Sequence, residues 1–171
     1  NMRDIINLVG GTTPPEYEDS DAPHYETLKT TGFFGAQAAG CIALAKTTGR
    51  ILILLRSEKV EQPLTWGNCG GAYHSDEQPI VAAKRELIEE TGYVGNASMI
   101  PLLLFKKGTF KYSNFLAIVD HEFDPILGWE ANDHKWCEFG NWPEPLHFGL
   151  TALFSDQESV RTIKHYIELF K

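Results

Sequence analysis

Three glutamates in one short run carry the most chemistry in the chain. Glu86, Glu89 and Glu90 lie in Pro79–Thr91, whose apolar spacing predicts a helix. At about 100° per residue, with Glu86 at the origin, Glu90 falls near roughly +40° and Glu89 near roughly −60°, so the three carboxylates share one face. Ala82 falls inside the same arc and Ala83 beside it, which leaves room next to the acidic stripe. Ile80 with Leu87 and Val81 with Ile88 form two apolar flanks, as in a helix wedged into the protein with its acid turned toward a cleft. Such carboxylates repel one another by about 0.2–0.5 kcal/mol per helical pair, and by more when desolvated. Arg85 can orient one of them, but a single guanidinium does not neutralise three. Oxygen-only ligands suit hard divalent cations, Mg²⁺ or Mn²⁺. Taken alone, such a face reads first as a solvated acidic helix face.

The elements that must position this face are legible around it. Phe33–Ala45 is apolar and small, and Arg50–Arg56 (RILILLR) reads as a buried strand, with the turn Thr47-Thr48-Gly49 between them. The small side chains of Ala36–Gly40 suit either close approach of a ligand or tight sheet packing. Ile100–Phe105 and Tyr112–Val119 read as further strands. A terminal helix follows Ser155, with Ser155-x-x-Glu158 as its capping box and Val160, Ile163, Ile167 and Phe170 on its apolar face. The expected fold class is α/β, a mixed sheet with helices packed on it. Residues 1–31 are polar and turn-rich, with Gly10-Gly11, Pro14-Pro15 and an acidic patch from Glu16 to Asp21. They are expected to form an N-terminal extension to one domain spanning 32–171.

Composition narrows the function. The 171 residues are 43% hydrophobic and 22% charged, which fits one globular domain with a real core and excludes disorder. No apolar run approaches the roughly 20 residues needed to span a bilayer, and no secretory leader is expected, Asn1 ahead of Met2 reading as a cloning remnant. Three scattered cysteines, Cys41, Cys69 and Cys137, do not make a disulfide framework and favour a reducing cytoplasm. With 15 basic and 23 acidic residues the net charge is −8, which disfavours nucleic acid and membrane surfaces as partners. A phosphate-bearing ligand would need a cation to bridge it to this acidic protein.

The spacing around the acidic face goes further. Gly71, Glu77, Arg85, Glu86, Glu89, Glu90 and Gly92, with Leu87 and Tyr93 as the bulky apolar positions, match G-x5-E-x7-R-E-U-x-E-E-x-G-U, where U is bulky and apolar. At ordinary residue usage this pattern would arise by chance about once in a million such chains. It is the Nudix box, and the chain resembles a Nudix hydrolase. The lead-in Arg56…Trp66-Gly67…Gly70-Gly71 extends the similarity over most of residues 34–154.

The resemblance implies an α/β/α sandwich around a mixed sheet and a Mg²⁺-dependent hydrolase that cleaves a nucleoside diphosphate linked to another group. It implies that Glu86, Glu89 and Glu90 bind the metal with the Gly70 carbonyl, that Glu86 helps activate water, that Arg85 orients the glutamates and that Glu77 braces the loop. Gly71 and Gly92 are structural positions of the motif. Many relatives have proline where Cys69 stands, and Ser or Thr where Gln78 precedes Pro79. Cys69 is read as a small buried filler, and Ser75 or Asp76 as the replacement helix cap.

Outside the box, Glu130 in the loop Gly128–Trp136 is the candidate for a further metal ligand or the base, with Asp133 second. His134-x-x-Cys137 lacks a second ligand pair for zinc. Arg56, at the end of its strand, is a candidate phosphate contact. Tyr112 is a candidate substrate contact: alternation puts Phe110, Tyr112 and Asn114 on one strand face. Relatives that hydrolyse dinucleoside polyphosphates often carry a tyrosine slightly closer to the box. ADP-ribose hydrolases often place proline there, and positions 106–112 contain none. The expected partner is a small-molecule nucleotide, and a homodimer is left open. Two other functions remain: a non-catalytic Nudix module, which predicts losses among Glu86, Glu89 and Glu90, and an RNA 5′-end pyrophosphohydrolase, against which the acidic balance weighs.

Overall fold

The computed structural model describes residues 37–171. The expected extension, 1–31, and residues 33–36 of the expected first strand lie outside the described residues. Seven strands and three helices follow: β1 Gln37–Ala45, β2 Ile51–Arg56, β3 Trp66–Gly67, β4 Cys69–Ala72, α1 Pro79–Thr91, β5 Ala97–Lys107, β6 Phe110–Val119, β7 Ala131–Cys137, α2 Phe148–Ser155 and α3 Gln157–Leu169. One mixed sheet holds all the strands. β1 runs parallel to β6 and antiparallel to β2 and β4, β5 pairs antiparallel with β6, and β2 also pairs with β3 and β7. Thus β1 leans on β2 only through Ala43 and Leu44. Farther along it pairs with β4, matching Gly40 with Gly70 and Cys41 with Cys69. The strand that leads into the box is thereby fixed to the centre of the sheet.

Alternation along the central strands divides the core between two faces. Ala39, Cys41, Ala43, Phe115 and Ala117 pack with Ala82, Ala83 and Leu87 of α1. Ile42, Leu44, Leu116 and Ile118 pack with Leu150 and Leu153 of α2 and Ile163 of α3. Each fully buried aliphatic side chain in these layers contributes about 1.5–3 kcal/mol. The result is the α/β/α sandwich around a mixed sheet that the resemblance implied. Among the described residues no helix is long and apolar enough to cross a membrane.

Several local expectations are corrected. Ser155 closes α2, its hydroxyl donating to the Thr151 carbonyl at 2.7 Å. The cap of α3 is Asp156, whose carboxylate accepts from the Ser159 amide at 3.1 Å and hydroxyl at 2.6 Å; its short side chain already stands beside the orphan amides, so no Ser-Glu box is needed. At the start of α1, Gln78 is the N-cap and makes no side-chain cap bond. Neither Ser75 nor Asp76 takes that position, because the helix begins directly at Pro79, whose missing N–H removes one orphan donor. Of the two apolar flanks of α1, Val81 and Ile88 both remain exposed, and the other is split, with Ile80 exposed and Leu87 fully buried. The sheet covers only one side of the helix. At its other end Gly92 takes the left-handed conformation, φ 71°, and its amide reaches the Ile88 carbonyl, which only glycine does without strain.

Candidate active site

The paired glycines of the box show how the site is assembled. Successive residues of β4 point to opposite faces, so Gly70 and Gly71 meet different neighbours. A methyl group on Gly71 would stand 2.5 Å from Glu86 Oε1 and 2.8 Å from its carboxyl carbon. One on Gly70 would overlap the Tyr112 hydroxyl. The strand must be bare on both sides for a carboxylate to lie against one face and a phenol against the other.

Arg85 gathers the acids. It grips Glu77 through two parallel bonds, Nε to Oε2 and Nη2 to Oε1, each 3.0 Å, the fork that a guanidinium makes with a carboxylate. Its Nη1 reaches Glu86 Oε1 at 3.0 Å and Glu89 Oε2 at 3.2 Å. Glu77 thereby ties the loop before α1 to the helix. Glu86 is fully buried, and its Oε2 has no hydrogen-bond partner in the structure. Glu90 Oε1 accepts from the Gly70 amide at 3.2 Å. The Glu86 and Glu90 carboxyls are near enough to influence each other's ionisation. Burial pushes the Glu86 carboxyl up to about 8, against the opposing pull of Arg85. Burial, then the charges of Glu130 and Glu86, hold Glu90 well above the usual carboxylate range.

Glu130 immediately precedes β7, and its carbonyl accepts from the Ser57 amide at 2.8 Å. This bond lies beside a register shift between Leu55 and Arg56, where Arg56 faces Ala131. Next to this irregularity, Glu130 is the leading charge acting on Glu90. Arg56 donates through Nε at 2.9 Å and Nη2 at 2.5 Å to the Glu61 carbonyl. Burial lowers its pKa, opposed first by Glu90 and then by Glu130. Residues 56, 70, 86, 90 and 130 are thus drawn to one end of the sheet. Asp133 instead turns back on its own strand and accepts from the His134 amide at 2.8 Å.

Tyr112 is 9% exposed, and its hydroxyl accepts from Asn68 Nδ2 at 3.1 Å. The expected face of β6 is seen: Phe110, Tyr112 and Asn114 together line a cavity with Asn68, Phe105 and Phe148. Asn114 donates to the Leu103 carbonyl at 3.0 Å. Sequence reasoning placed Asn114 on the Tyr112 face but did not single out Asn68 or Phe148, and no motif spacing marks those two. Cys69 is buried as expected, its thiol pushed up by burial, and the Ala38–Gly40 backbone serves tight packing, with the Tyr112 hydroxyl and the Cys69 carbonyl against Gly40.

Among the described residues no group of three acidic, histidine or cysteine side chains stands ready as a closed metal cage. Arg85 holds Glu86 and Glu89 while Gly70 holds Glu90. The donor set nevertheless fits a hard cation, because a buried carboxylate oxygen without a partner and two mutually repelling carboxyls are what such an ion satisfies. The raised carboxyls also give stability a definite pH dependence. Between about pH 4.5 and 8 the folded protein retains protons that the unfolded chain has released, so stability falls as pH rises through that window. In EDTA the melting temperature is expected to drop by about 3 °C per pH unit for one such group, and millimolar Mg²⁺ to flatten the slope. Equal melting temperatures at pH 5 and pH 8 without metal would contradict the buried, strained pair.

No curated protein matches the chain. Solved structures do. A binary complex of the C. elegans Ap4A hydrolase is 22% identical, with 77% of this chain and 96% of that one covered at a TM-score of 0.55. The M. smegmatis Nudix hydrolase RenU is 20% identical, with 76% and 86% covered at 0.62. The E. coli dihydroneopterin triphosphate pyrophosphohydrolase is 19% identical, with 77% and 94% covered at 0.51. At these identities the likeness is one of fold. The family model of the NUDIX domain matches residues 36–150, over which the glycine-backed, arginine-gathered glutamates are distributed, and the chain belongs to the Nudix hydrolase family.

Proposed function

We propose that the chain is a Mg²⁺-dependent nucleotide pyrophosphohydrolase, Mn²⁺ serving as an alternative, with Glu86, Glu89, Glu90 and the Gly70 carbonyl as the metal-holding groups and Glu130 as a further ligand or the base. The observation that carries this reading is the buried Glu86 with an unpartnered oxygen, set against the bare Gly71 and beside a Glu90 held by the Gly70 amide. When bound, the metal would neutralise the phosphate oxygens and lower the pKa of water held beside them. The chain's own groups supply the positioning. Arg85 and Glu77 fix the direction of Glu86, the Gly70 amide fixes Glu90, and Glu130 enters from β7 with a carboxylate that can accept a proton from water. Arg56, cationic among these acids, is the proposed phosphate contact.

The substrate reading is a nucleoside diphosphate linked to another group, with a dinucleoside polyphosphate first. Its support is the aromatic wall of Phe105, Phe110, Tyr112 and Phe148 with the amides of Asn68 and Asn114. Flat aromatic faces suit stacking on a base, at about 1–3 kcal/mol each, and amides suit its polar edge. The unit proposed to carry the activity is 32–171, acting in the cytoplasm. A panel of nucleoside triphosphates, ADP-ribose, dinucleoside polyphosphates and nucleotide sugars, incubated with Mg²⁺ and analysed for products, tests the reading. Metal-dependent cleavage of a phosphoric anhydride, fastest for a dinucleoside polyphosphate, is expected. Far faster turnover of ADP-ribose or a triphosphate would overturn the substrate assignment and leave the hydrolase standing.

A further inference from the structure

We propose that Tyr112 is a positioning residue whose hydroxyl, seated between Gly40 and Gly70, sets the backbone of β4 so that the Gly70 amide meets Glu90. The inference rests on the hydrolase reading above for its effect on turnover, and on the structure alone for the contact.

Three strands converge on this hydroxyl. Tyr112 on β6 lies opposite Ala38 of β1 in parallel register, and its side chain leans along the strand toward the next inward-facing position, Gly40. Gly40 pairs across β1–β4 with Gly70. A methyl group on either glycine would fall well inside 3.0 Å of the Tyr112 oxygen, so the phenol fills a notch that exists only because both strands are bare there. Asn68, two residues before Gly70, donates to the same oxygen at 3.1 Å, fastening the near end of β4 to the ring. On the opposite side of the strand the Gly70 amide donates to Glu90. The chain of contact is therefore β6 phenol, β4 backbone, α1 carboxylate. The hydroxyl accepts from Asn68 and packs against the two glycines.

The two neighbours of each glycine give a test that a generic packing role would not pass. At Gly70 the Tyr112 oxygen is the severe obstacle, with the Ala39 carbonyl and Gly40 Cα at 3.0 Å. At Gly40 the Cys69 carbonyl is a second severe obstacle, and Asn68 Nδ2 stands at 2.9 Å. Tyr112→Phe removes the oxygen and keeps the ring. It should therefore relieve Gly70→Ala and fail to relieve Gly40→Ala.

The experiment compares the wild type, Tyr112→Phe, Gly70→Ala, Gly40→Ala and the two double variants, using the fastest nucleotide of the panel, Mn²⁺ binding followed by electron paramagnetic resonance, and amide hydrogen exchange without metal. Tyr112→Phe is expected to lower kcat about tenfold and leave KM within about twofold, since a small misplacement of reacting groups costs turnover and not ground-state binding. It is also expected to weaken Mn²⁺ binding several-fold and to speed exchange of the Gly70 amide about tenfold or more, with distant core amides unchanged. Gly70→Ala should lose about 100-fold in kcat, of which the added Tyr112→Phe restores about tenfold.

Unchanged Gly70 exchange and unchanged Mn²⁺ binding in Tyr112→Phe would overturn the proposal. So would a rise in KM at constant kcat, which would make the hydroxyl a substrate contact. If the alanine variants do not fold, the isosteric Tyr112→Phe decides alone. If the wild type cleaves no nucleotide, the hydrolase reading fails, while the exchange of the Gly70 amide still decides the contact.

Discussion

Glu90→Gln is expected to lower kcat at least about 100-fold while the fold persists, since one charged ligand to the transition-state charge is lost. The substitution is close to isosteric, and glutamine keeps an oxygen to accept from the Gly70 amide, the bond that holds Glu90 in place. What disappears is the charge that the neighbouring Glu86 and Glu130 already oppose. Because that charge is costly in the folded protein, its removal should leave the metal-free protein as stable as the wild type or more stable. Activity and stability should therefore move in opposite directions, a pattern that general damage to the fold does not produce. Circular dichroism, thermal melting and steady-state kinetics with Mg²⁺ check this together. Full turnover by the variant would remove Glu90 from the metal-holding set.

Arg85→Ala should cost stability as well as activity. Its guanidinium touches Glu77, Glu86 and Glu89, and Glu86 is fully buried. Removing one partner of a buried pair leaves an uncompensated charge, typically a loss of 3–5 kcal/mol. Arg85 is itself 34% exposed, so solvent screens part of this, and about 2–3 kcal/mol is the expected loss above about pH 8, where Glu86 is ionised. For a chain of this size that lowers the melting temperature by about 5–10 °C. The loss should shrink as pH falls below about 8, where Glu86 takes up a proton. Arg85→Lys should recover part of the stability and little of the activity, because a point charge cannot hold Glu77 through two parallel bonds. A melting temperature unchanged in Arg85→Ala would show that the arginine does not compensate Glu86.

Much of this was legible in the sequence. The box is a local pattern, and the bounds of α1 follow from its periodicity, Pro79 and Gly92. Strands β1, β2 and β6 followed from apolar runs bounded by turn residues, and the grouping of Phe110, Tyr112 and Asn114 from the period of the pleat. What was not legible depended on tertiary neighbours. The eight residues of α2, FGLTALFS, are almost wholly apolar and show no helical stripe, so periodicity says nothing about them. The exposed side of α1 cannot be known until the sheet is seen to cover only Leu87 and the alanines. Glu130 could be named as a loop acid, but its nearness to Glu90 depends on the pairing of β7 with β2, which the sequence does not show. The reason for two glycines in a row, a carboxylate on one side and a phenol on the other, appears only when α1 and β6 are both in place.

The central claim is that the glutamates of α1, with the buried Glu86 against Gly71 and Glu90 on the Gly70 amide, make a metal-dependent site for cleaving a phosphoric anhydride. The most direct measurement is the rate of product release from a dinucleoside polyphosphate by the wild-type protein, first with millimolar Mg²⁺ and then after excess EDTA. The account predicts turnover that EDTA abolishes and restored Mg²⁺ recovers. Equal rates with and without EDTA would contradict it.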